Sequence, residues 1–433
     1  MKKKTILIID GGGRGSALVA AYAKSNKVGK ILAIPGNDLM QIVSKKRVTI
    51  YKHLKTTSIP EILEICKKEK VDLVDVAQDN AVQAGLVDEL LKNNIPAFGP
   101  TRLAGQIEWD KAWARKFMWK YKIPHPTFTV FHSQKEGISF VKKQKDQAWF
   151  VKANGLVEGK GALPARNNKE AIEKIQEMKK FGDMGKTFLL EQWLVGEEFS
   201  SFALCDGENF HILGNAQDHK RMFNFDQGEN TGGMGCSTPP LLLTPKLQKE
   251  IKEIFQKALS GLKKENRHYQ GILYLGGIVV NEKIFVIEFN ARWGDPEAQV
   301  MVPGIKNDFF EMNMAIAEGK LKKIKIRTDN KARVAVTGSL RSGIEPKERQ
   351  LFGIPKVLKL KDITIFGTRV QIKNKKYFVT SGRLFHLVAE GKDVIGVRRK
   401  VYEAMALLFI EGNNLHFRTD IGYRDVSRHY EKE

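Results

Sequence analysis

Short apolar runs alternate with helical patterns over the first 101 residues of the chain. The runs cover residues 5–9, 30–34, 48–51, 71–76 and 95–98, and one helix is expected near residues 83–92. Strands that alternate with amphipathic helices are typical of a parallel sheet with crossover helices. The pattern therefore predicts an N-terminal parallel α/β domain over residues 1–101.

The pattern changes after residue 101. Residues 112–122 form an aromatic-rich helical segment that Pro124 and Pro126 stop, so we expect a domain boundary before it. Strands with Gly-rich loops follow from about 148 to 325, with a long helix at 245–264. Residues 326–427 hold short strands and a helix at 397–409. The fold class predicted is α/β and α+β.

Composition narrows the possible functions. The 433 residues, 42% of them hydrophobic, are enough for about two to four globular domains. Three separated cysteines and the lack of a run of about 18 apolar residues predict a cytoplasmic chain without a membrane partner. The formal charge of +23 suits nucleic acid or anionic small molecules, but the cations are scattered along amphipathic segments. We therefore expect phosphorylated substrates, and consider nucleic acid unlikely.

The first Gly-rich turn, residues 11–16, follows the first predicted strand. Its backbone N–H groups could bind a phosphate at the start of a helix. It is a poor dinucleotide fingerprint, because Ser16 replaces the third glycine and no ribose-binding acid ends the next strand. A phosphate site remains the better interpretation.

A second Gly-rich loop runs from Lys152 to Gly161 between two predicted strands. It is not a Walker loop, since three residues separate Gly155 from Gly159 and Gly161 follows Lys160. Glycine N–H groups in such a loop can still cover a triphosphate. An ordinary hairpin is the alternative interpretation.

Two acidic positions lie farther along the chain. Glu191 ends an apolar strand and Glu198 lies in the acidic turn that follows it, where carboxylates could accept hydrogen bonds from ribose hydroxyls. A solvated turn would explain them equally well in isolation. Lys220 and Arg221 then precede the Gly-rich segment 228–235, a pattern that suits an anion-binding lid. His219, directly before Lys220, is expected to be structural.

The strongest chemical signal is the segment 285–297. Residues two apart on a strand face the same side, so Glu288 and Asn290 present a carboxylate and an amide oxygen together. Hard oxygen ligands of this kind suit Mg²⁺ (or Mn²⁺) bridging phosphates. Arg292, next on that face, could pair with a phosphate or a reacting carboxylate.

The order of these motifs resembles the phosphoribosylamine–glycine ligase family of ATP-grasp enzymes over nearly the whole chain. The most specific matches are residues 217–221 with 230–235, the segment 286–297 and the loop 152–161. The resemblance implies an N-terminal substrate domain (1–101), a central ATP-grasp domain (102–325, mobile lobe about 123–192) and a small C-terminal mixed domain (326–427). A monomer or homodimer is expected.

The resemblance also assigns roles to individual residues. It implies ATP as cosubstrate, with glycine and 5-phosphoribosylamine joined through a glycyl phosphate. Arg292 and Lys152 would be catalytic, and Glu288 with Asn290 would bind the metal. ATP would contact Lys111, Lys152, Gly155, Gly159, Lys160, Gly161, Glu191 and Glu198. The other substrates would contact Gly12, Gly13, Arg14, Asp79, Lys220, Arg221 and Asp295.

Departures from the family pattern concentrate in the amine-binding part. The family's Gly-Gly-Arg-Glu-His-Ala appears as residues 12–17 with Gly15 and Ser16, and residues 77–82 replace a Gly-Pro-Glu-Ala-Pro-Leu turn in which only the acid, as Asp79, is kept in kind. A related ligase that uses another amine is therefore an alternative, because substrate identity depends on the site and not on the fold. A nucleic-acid-binding protein without catalysis is a second alternative.

Overall fold

The computed structural model describes residues 2–157 and 160–431, and it begins with a five-stranded parallel sheet. Its strands are β1 (Lys4–Asp10), β2 (Val28–Pro35), β3 (Val48–Ile50), β4 (Leu73–Val76) and β5 (Ala97–Phe98), and its helices are α1 (Gly13–Lys24), α2 (Ile59–Glu69), α3 (Asp79–Gln83) and α4 (Leu86–Lys92). The strand order is β3-β2-β1-β4-β5. The predicted parallel α/β sheet is confirmed.

The central strand β1 shows why this segment folds as a covered sheet. Ile6, Leu7, Ile8 and Ile9 are completely buried, as expected for a parallel strand packed on both faces. The helix predicted near 83–92 is found as α4, which begins at Leu86, and a break at Gly85 separates it from α3. Gly85 takes a φ of 84°, which an α-helix does not allow.

A four-stranded antiparallel sheet follows two helices. The elements are α5 (Arg102–Trp109), α6 (Lys111–Lys120), β6 (Phe128–Phe131), α7 (Gln134–Lys142), β7 (Trp149–Ala153), β8 (Ala162–Ala165), α8 (Asn168–Glu177), α9 (Asp183–Lys186) and β9 (Phe188–Gln192). The strand order is β6-β9-β7-β8. β7 and β8 pair antiparallel on either side of the second Gly-rich loop, as the sequence predicts.

The next segment supplies one half of a larger sheet. It contains β10 (Glu197–Asp206), β11 (Phe210–Asp218), β12 (Arg221–Phe223), β13 (Gln227–Asn230), β14 (Gly235–Thr238), α10 (Pro245–Lys264), β15 (Gln270–Val280), β16 (Lys283–Asn290), α11 (Glu297–Met301) and α12 (Phe309–Ala317). The predicted helix 245–264 is confirmed as α10. Thr244 caps it, its hydroxyl accepting a hydrogen bond from the Leu247 N–H.

The C-terminal segment supplies the other half. It contains β17 (Ala332–Leu340), β18 (Arg349–Phe352), α13 (Ile354–Val357), β19 (Ile363–Gly367), β20 (Val370–Lys373), β21 (Lys376–Val379), β22 (Arg383–Gly391), α14 (Val394–Met405), β23 (Phe409–Ile410), β24 (Leu415–His416) and α15 (Tyr423–Tyr430). The predicted helix 397–409 is misplaced. The helix α14 begins at Val394, three residues before the predicted start, with Asp393 as its N-cap. Phe409 instead begins the strand β23, which pairs with β18.

One continuous sheet joins these two segments. Its strand order is β16-β15-β10-β11-β14-β17-β22-β19, and β24 adds to β17 as the ninth strand. The junction is the antiparallel pairing of β14 with β17, from Gly235 opposite Val336 to Thr238 opposite Arg333. β20, β21, β18 and β23 form a separate four-stranded sheet. No helix in the described residues is both long and apolar enough to span a bilayer.

The side chain of Phe385 fills the core where β17 and β22 pair. Phe385 is completely buried, and its ring lies over Gly338. A Cβ at residue 338 would lie only 2.3 Å from the Phe385 Cζ atom. Gly338 and Phe385 therefore pack as a matched pair of small and large residues.

We expect Phe385→Ala to lower the free energy of unfolding by about 3–5 kcal/mol, because it leaves a cavity in this packed layer. Urea unfolding followed by circular dichroism measures the change. Phe409→Ala is the control, since Phe409 is 54% exposed, and it should cost much less. Equal losses in the two variants would contradict the packing argument.

Candidate functional site

Arg115 on α6 joins the four-stranded sheet β6-β9-β7-β8 to the nine-stranded sheet. Its guanidinium forms two hydrogen bonds with the Glu191 carboxylate of β9, at 2.7 and 2.9 Å. The same guanidinium donates to the carbonyl oxygens of Val286 and Ile287 on β16, at 3.0 and 2.7 Å. Arg115 thus fixes β9 against β16 at one edge of the site.

Lys152 on β7 also pairs with Glu191. Its Nζ lies 2.6 Å from Glu191 Oε2, and both side chains are buried. Burial disfavours the charged form of Glu191, but Arg115 and Lys152 outweigh that effect and lower its pKa to about 2. Glu191 is therefore a carboxylate at neutral pH, and its charge holds Lys152 in place.

The start of α6 holds the second Gly-rich loop. Lys111 Nζ donates to the Gly155 carbonyl at 2.5 Å, and the Ala112 N–H donates to Asn154 Oδ1 at 2.9 Å. Burial lowers the pKa of Lys111. The start of α6 therefore holds the beginning of the loop through Asn154 and Gly155.

Lys160 and Gly161 are the other two predicted ATP-binding residues of this loop that the structure describes. Lys160 is exposed, and Gly161 is buried with its carbonyl accepting from the Ala153 N–H at 2.9 Å. A Cβ on Gly161 would lie 2.1 Å from Val157 Cγ2, so the turn has room only for glycine there. The predicted ATP-binding residue Gly159 lies outside the described residues.

The structure brings together the three polar residues singled out on β16 and after it. Asn290 Nδ2 donates to Glu288 Oε1 at 3.4 Å, and Arg292 Nη2 donates to Asn290 Oδ1 at 3.3 Å. β16 ends at Asn290, so Arg292 reaches this face from the following turn. Glu288 and Asn290 thus lie on the same face of β16, as the alternation of side chains along a strand predicts.

Three lysines lie around Glu288. Burial disfavours the charged form of its carboxyl, but Lys220, Lys152 and Lys111 outweigh burial and lower its pKa. Glu288 is therefore ionised and can serve as a metal ligand. Among residues 2–157 and 160–431, no three His, Cys, Asp or Glu side chains converge to hold a metal ion. A cation bound at Glu288 and Asn290 would need further oxygen ligands from phosphates or water.

Arg292 is fixed by an acid from α5 that the sequence did not single out. Its Nη2 lies 2.7 Å from Glu108 Oε1 and 3.8 Å from Asp79 Oδ2. Glu108 Oε2 accepts a hydrogen bond from the Ala291 N–H at 2.7 Å. Burial raises the pKa of Glu108 to about 7. Asp79, predicted to bind substrate, therefore lies beside the predicted catalytic arginine.

The remaining predicted cations, Lys220 and Arg221, follow β11 in the chain. Lys220 Nζ pairs with Glu198 Oε2 at 2.9 Å, which links a predicted substrate residue to a predicted ATP residue. Arg221 lies on the β12–β13 ribbon, and its Nη1 donates to the Gly228 carbonyl within that ribbon at 2.5 Å. His219 is buried, and burial lowers its pKa to about 4.

The first Gly-rich turn is organised by Asp10 at the end of β1. The Asp10 carboxylate accepts from the Gly12 and Gly15 N–H groups at 2.5 and 3.1 Å, and from Arg14 Nε at 2.7 Å. Arg14 Nη1 also donates to the Trp293 carbonyl at 2.8 Å. Two of the N–H groups predicted to bind phosphate, and the buried Arg14 side chain, thus already have partners within the protein.

Asp295 faces this turn from the other side. Its Oδ1 lies 2.6 Å from Gln299 Nε2 and 3.1 Å from His386 Nε2, and its Oδ2 lies 3.3 Å from Arg383 Nη2. Burial disfavours the charge on Asp295, but Arg383 and His386 outweigh it and lower the pKa well below its ordinary value. A Cβ on Gly12 would lie 3.2 Å from Asp295 Oδ2, so the carboxylate and the turn are neighbours.

The predicted residues thus form two connected groups. One surrounds Glu288 and Asn290 with lysines, and the other places Asp295 against the first Gly-rich turn. Arg292 and Trp293, adjacent in sequence, link them through Asn290 and Arg14. The sequence did not identify Asp10, Glu108, Arg115, Gln299 and His386. Only Asp10 carried a local signal, because it ends a parallel strand directly before a Gly-rich turn.

The whole sequence was also compared with known proteins. Residues 4–108 match the N domain of phosphoribosylglycinamide synthetase, and residues 109–298 match its ATP-grasp (A) domain. The chain is 34% identical over 424 residues to phosphoribosylamine–glycine ligase of Caldanaerobacter subterraneus subsp. tengcongensis, covering 96% of this chain and 99% of that one. It is also 34% identical to a trifunctional purine biosynthetic protein of Drosophila melanogaster, covering 97% of this chain and 32% of the longer protein.

Solved structures show the same fold. A crystal structure of phosphoribosylamine–glycine ligase from Thermotoga maritima matches with a TM-score of 0.78 and 27% identity, covering 96% of this chain and 100% of that one. The biotin carboxylase domain of Hydrogenobacter thermophilus 2-oxoglutarate carboxylase, a complex with MgADP, matches with a TM-score of 0.75 at 16% identity, covering 96% and 92%, and shows the fold alone. The chain therefore belongs to the phosphoribosylamine–glycine ligase family, the ATP-grasp enzymes that form a carbon–nitrogen bond in purine biosynthesis.

Proposed function

We propose that this chain joins glycine to 5-phosphoribosylamine at the expense of ATP, giving glycinamide ribonucleotide, ADP and phosphate. The observation that carries the proposal is the ionised Glu288 beside Asn290, surrounded by Lys111, Lys152 and Lys220. One carboxylate and one amide, surrounded by cations, suit a divalent ion that is bound together with phosphate oxygens. Mg²⁺ or Mn²⁺ would neutralise charge on the phosphates there.

ATP is assigned to the space between the two sheets. Lys111 and Lys152 would contact its phosphates, under the loop that includes Gly155, Gly159, Lys160 and Gly161. The strand that carries Glu191 and the turn that carries Glu198 would hold adenine and ribose. The Arg115 contact supports this assignment, because it fixes β9 beside β16 at a set distance. Positioning of this kind is the main contribution of proteins to phosphoryl transfer.

The reaction has two steps. The glycine carboxylate attacks the γ-phosphorus, the bond to the ADP oxygen breaks, and glycyl phosphate forms. The 5-phosphoribosylamine nitrogen then attacks the acyl carbon and phosphate leaves, while the nitrogen loses one proton. Arg292, held by Glu108 and Asn290, would stabilise the charge that develops on the carboxylate and phosphoryl oxygens.

The amine is assigned to the group around Asp295. Gly12, Gly13, Arg14 and Asp79 would line its site, with Lys220 and Arg221 on the lid side. Arg14 would act through the turn that it stabilises, because its side chain is hydrogen-bonded to Asp10 and Trp293.

We also propose the domain boundaries 1–101, 102–325 and 326–427, with a mobile lobe at about 123–192. A cytoplasmic location and a monomeric or homodimeric state are further parts of the proposal.

A ligase for another amine is the second candidate. Asp10 takes the N–H groups of Gly12 and Gly15, so fewer backbone donors in this turn remain for a sugar phosphate. The two candidates share the chemistry of the acyl phosphate and differ only in the nucleophile. Product analysis separates them.

We expect glycinamide ribonucleotide to form only when ATP, Mg²⁺, glycine and freshly generated 5-phosphoribosylamine are all present. Mass spectrometry of the reaction identifies the product, and omission of each component is the control. Folded protein that binds ATP but makes no glycinamide ribonucleotide would exclude this amine and leave the wider ligase class.

We expect Glu288→Gln and Asn290→Ala each to lower kcat by at least about a hundredfold, because the first removes the negative charge of one metal ligand and the second removes the oxygen of the other. ADP release is measured across a range of Mg²⁺ concentrations. Glu282→Gln, at an exposed turn before the same strand, is the matched control. Near-normal turnover of Glu288→Gln at limiting Mg²⁺ would refute the metal assignment.

We expect Lys152→Met to raise the KM for ATP by about tenfold and to slow turnover, because it removes a point charge that contacts the phosphates. Arg115 still neutralises Glu191 in this variant, so the fold should persist. Steady-state kinetics with ATP varied measures the effect, and the exposed Lys142→Met is the control. Unchanged ATP kinetics would show that Lys152 serves only the Glu191 ion pair.

A further inference from the structure

His386 on β22 is a completely buried histidine beside the proposed amine site. Its Nε2 lies 3.1 Å from Asp295 Oδ1, and its Nδ1 lies 2.9 Å from Thr337 Oγ1 on β17. The contact with Asp295 is close but not aligned with the ring N–H direction. Contacts of this kind often align only when the substrate is bound.

The imidazole also supports the first Gly-rich turn. A Cβ on Gly13 would lie 2.3 Å from His386 Cδ2, so the ring packs directly against the backbone of the turn. Gln299 lies on the same side, with its Nε2 2.5 Å from that Cβ position. The ring therefore contacts both walls of the proposed amine site, the carboxylate of Asp295 and the turn at Gly13.

Thr337 connects this histidine to the Gly-rich segment 228–235. Its hydroxyl lies 3.3 Å from the Gly233 carbonyl and 2.9 Å from His386 Nδ1. When the hydroxyl donates to Gly233, it can accept only from a protonated Nδ1. When it donates to Nδ1, the ring carries its proton on Nε2 and presents it to Asp295.

We propose that His386 is a positioning residue that holds Asp295 in place for the amine substrate, while the Thr337 hydroxyl fixes the imidazole through its hydrogen bond with Nδ1. This inference rests on the proposed function. Gln299 and His386 occupy Asp295 Oδ1, which leaves Oδ2, next to Gly12 and Arg383, to face the substrate. An incorrectly oriented carboxylate would turn this oxygen away from the amine.

Three features support this role over simple core packing. The ring is polar and completely buried, both of its nitrogens face polar atoms, and one of these atoms belongs to a carboxylate that remains ionised. The groups that face the ring from the neighbouring elements are Asp295, Arg383 and Glu297. A buried polar ring needs polar neighbours in any case, so the distinguishing feature is that one of them is the ionised carboxylate of the proposed amine site.

The kinetic test compares His386→Leu with His386→Gln, because glutamine keeps an N–H group that can reach Asp295. We expect the leucine variant to raise the KM for 5-phosphoribosylamine by at least about tenfold while the KM for ATP changes less than about twofold, and glutamine to restore most of the loss. Thr337→Val should give a smaller rise in the same KM, and Thr337→Ser should not. The exposed His211→Leu is the control. Equal changes in both KM values, or no rescue by glutamine, would overturn the proposal.

A second measurement does not depend on turnover. In protein labelled with ¹⁵N-histidine, the His386 signals are those missing from His386→Leu. We expect Nε2 to carry a proton at neutral pH, and Asp295→Asn to lower the pKa of the ring because it removes the facing carboxylate charge. An unprotonated Nε2 in the wild-type protein would overturn the proposal. A wild-type protein that makes no glycinamide ribonucleotide would refute the proposed function instead. The protonation of His386 Nε2 would still show whether this ring donates to Asp295.

Discussion

The contact between Arg115 and Glu191 is the interaction on which the arrangement of the site depends. One guanidinium binds a carboxylate of the four-stranded sheet and two carbonyl oxygens of the nine-stranded sheet. The planar, always charged guanidinium suits this geometry, and an ammonium group would not form the same paired contacts. Removing Glu191 would leave the buried Arg115 without a carboxylate partner, and the loss of one partner of a buried ion pair typically costs about 3–5 kcal/mol. The spacing of the two sheets, and with it the position of Lys152, follows from this contact.

The pairing of a buried acid with an arginine recurs in three other groups of the site. Asp10 has Arg14, Glu108 has Arg292, and Asp295 has Arg383. In three of these pairs, counting Arg115 with Glu191, the arginine also donates to a backbone carbonyl of the segment 286–293. The segment that carries the proposed metal ligands is therefore held by arginines from α1 and α6 and by Arg292 itself. The backbone is set before any substrate arrives, which lowers the cost of organising the site.

The sequence predicted those features that depend on local pattern. The parallel sheet, the helix α10, and the common face of Glu288 and Asn290 follow from periodicity. It began α14 three residues late and extended the helix near 83–92 across Gly85, because a single capping Asp393 and one glycine with a positive φ are only weak signals in a sequence. Glu108 and His386 could not be found, since their partners lie about 180 and 90 residues away in the chain and no local pattern records such contacts.

The unbroken nine-stranded sheet determines what would happen to a divided polypeptide. If the chain were cut between α12 and β17, Gly235–Thr238 would become an open strand edge with unpaired N–H and C=O groups. Such edges recruit strands from other molecules, so the separated N-terminal piece would tend to aggregate. The same edge would also recognise the missing C-terminal piece, because β17 restores four residue pairs in a fixed register. Two fragments produced together should therefore reassemble by pairing β17 with β14. An enzyme divided at this junction would be active only where both fragments are present.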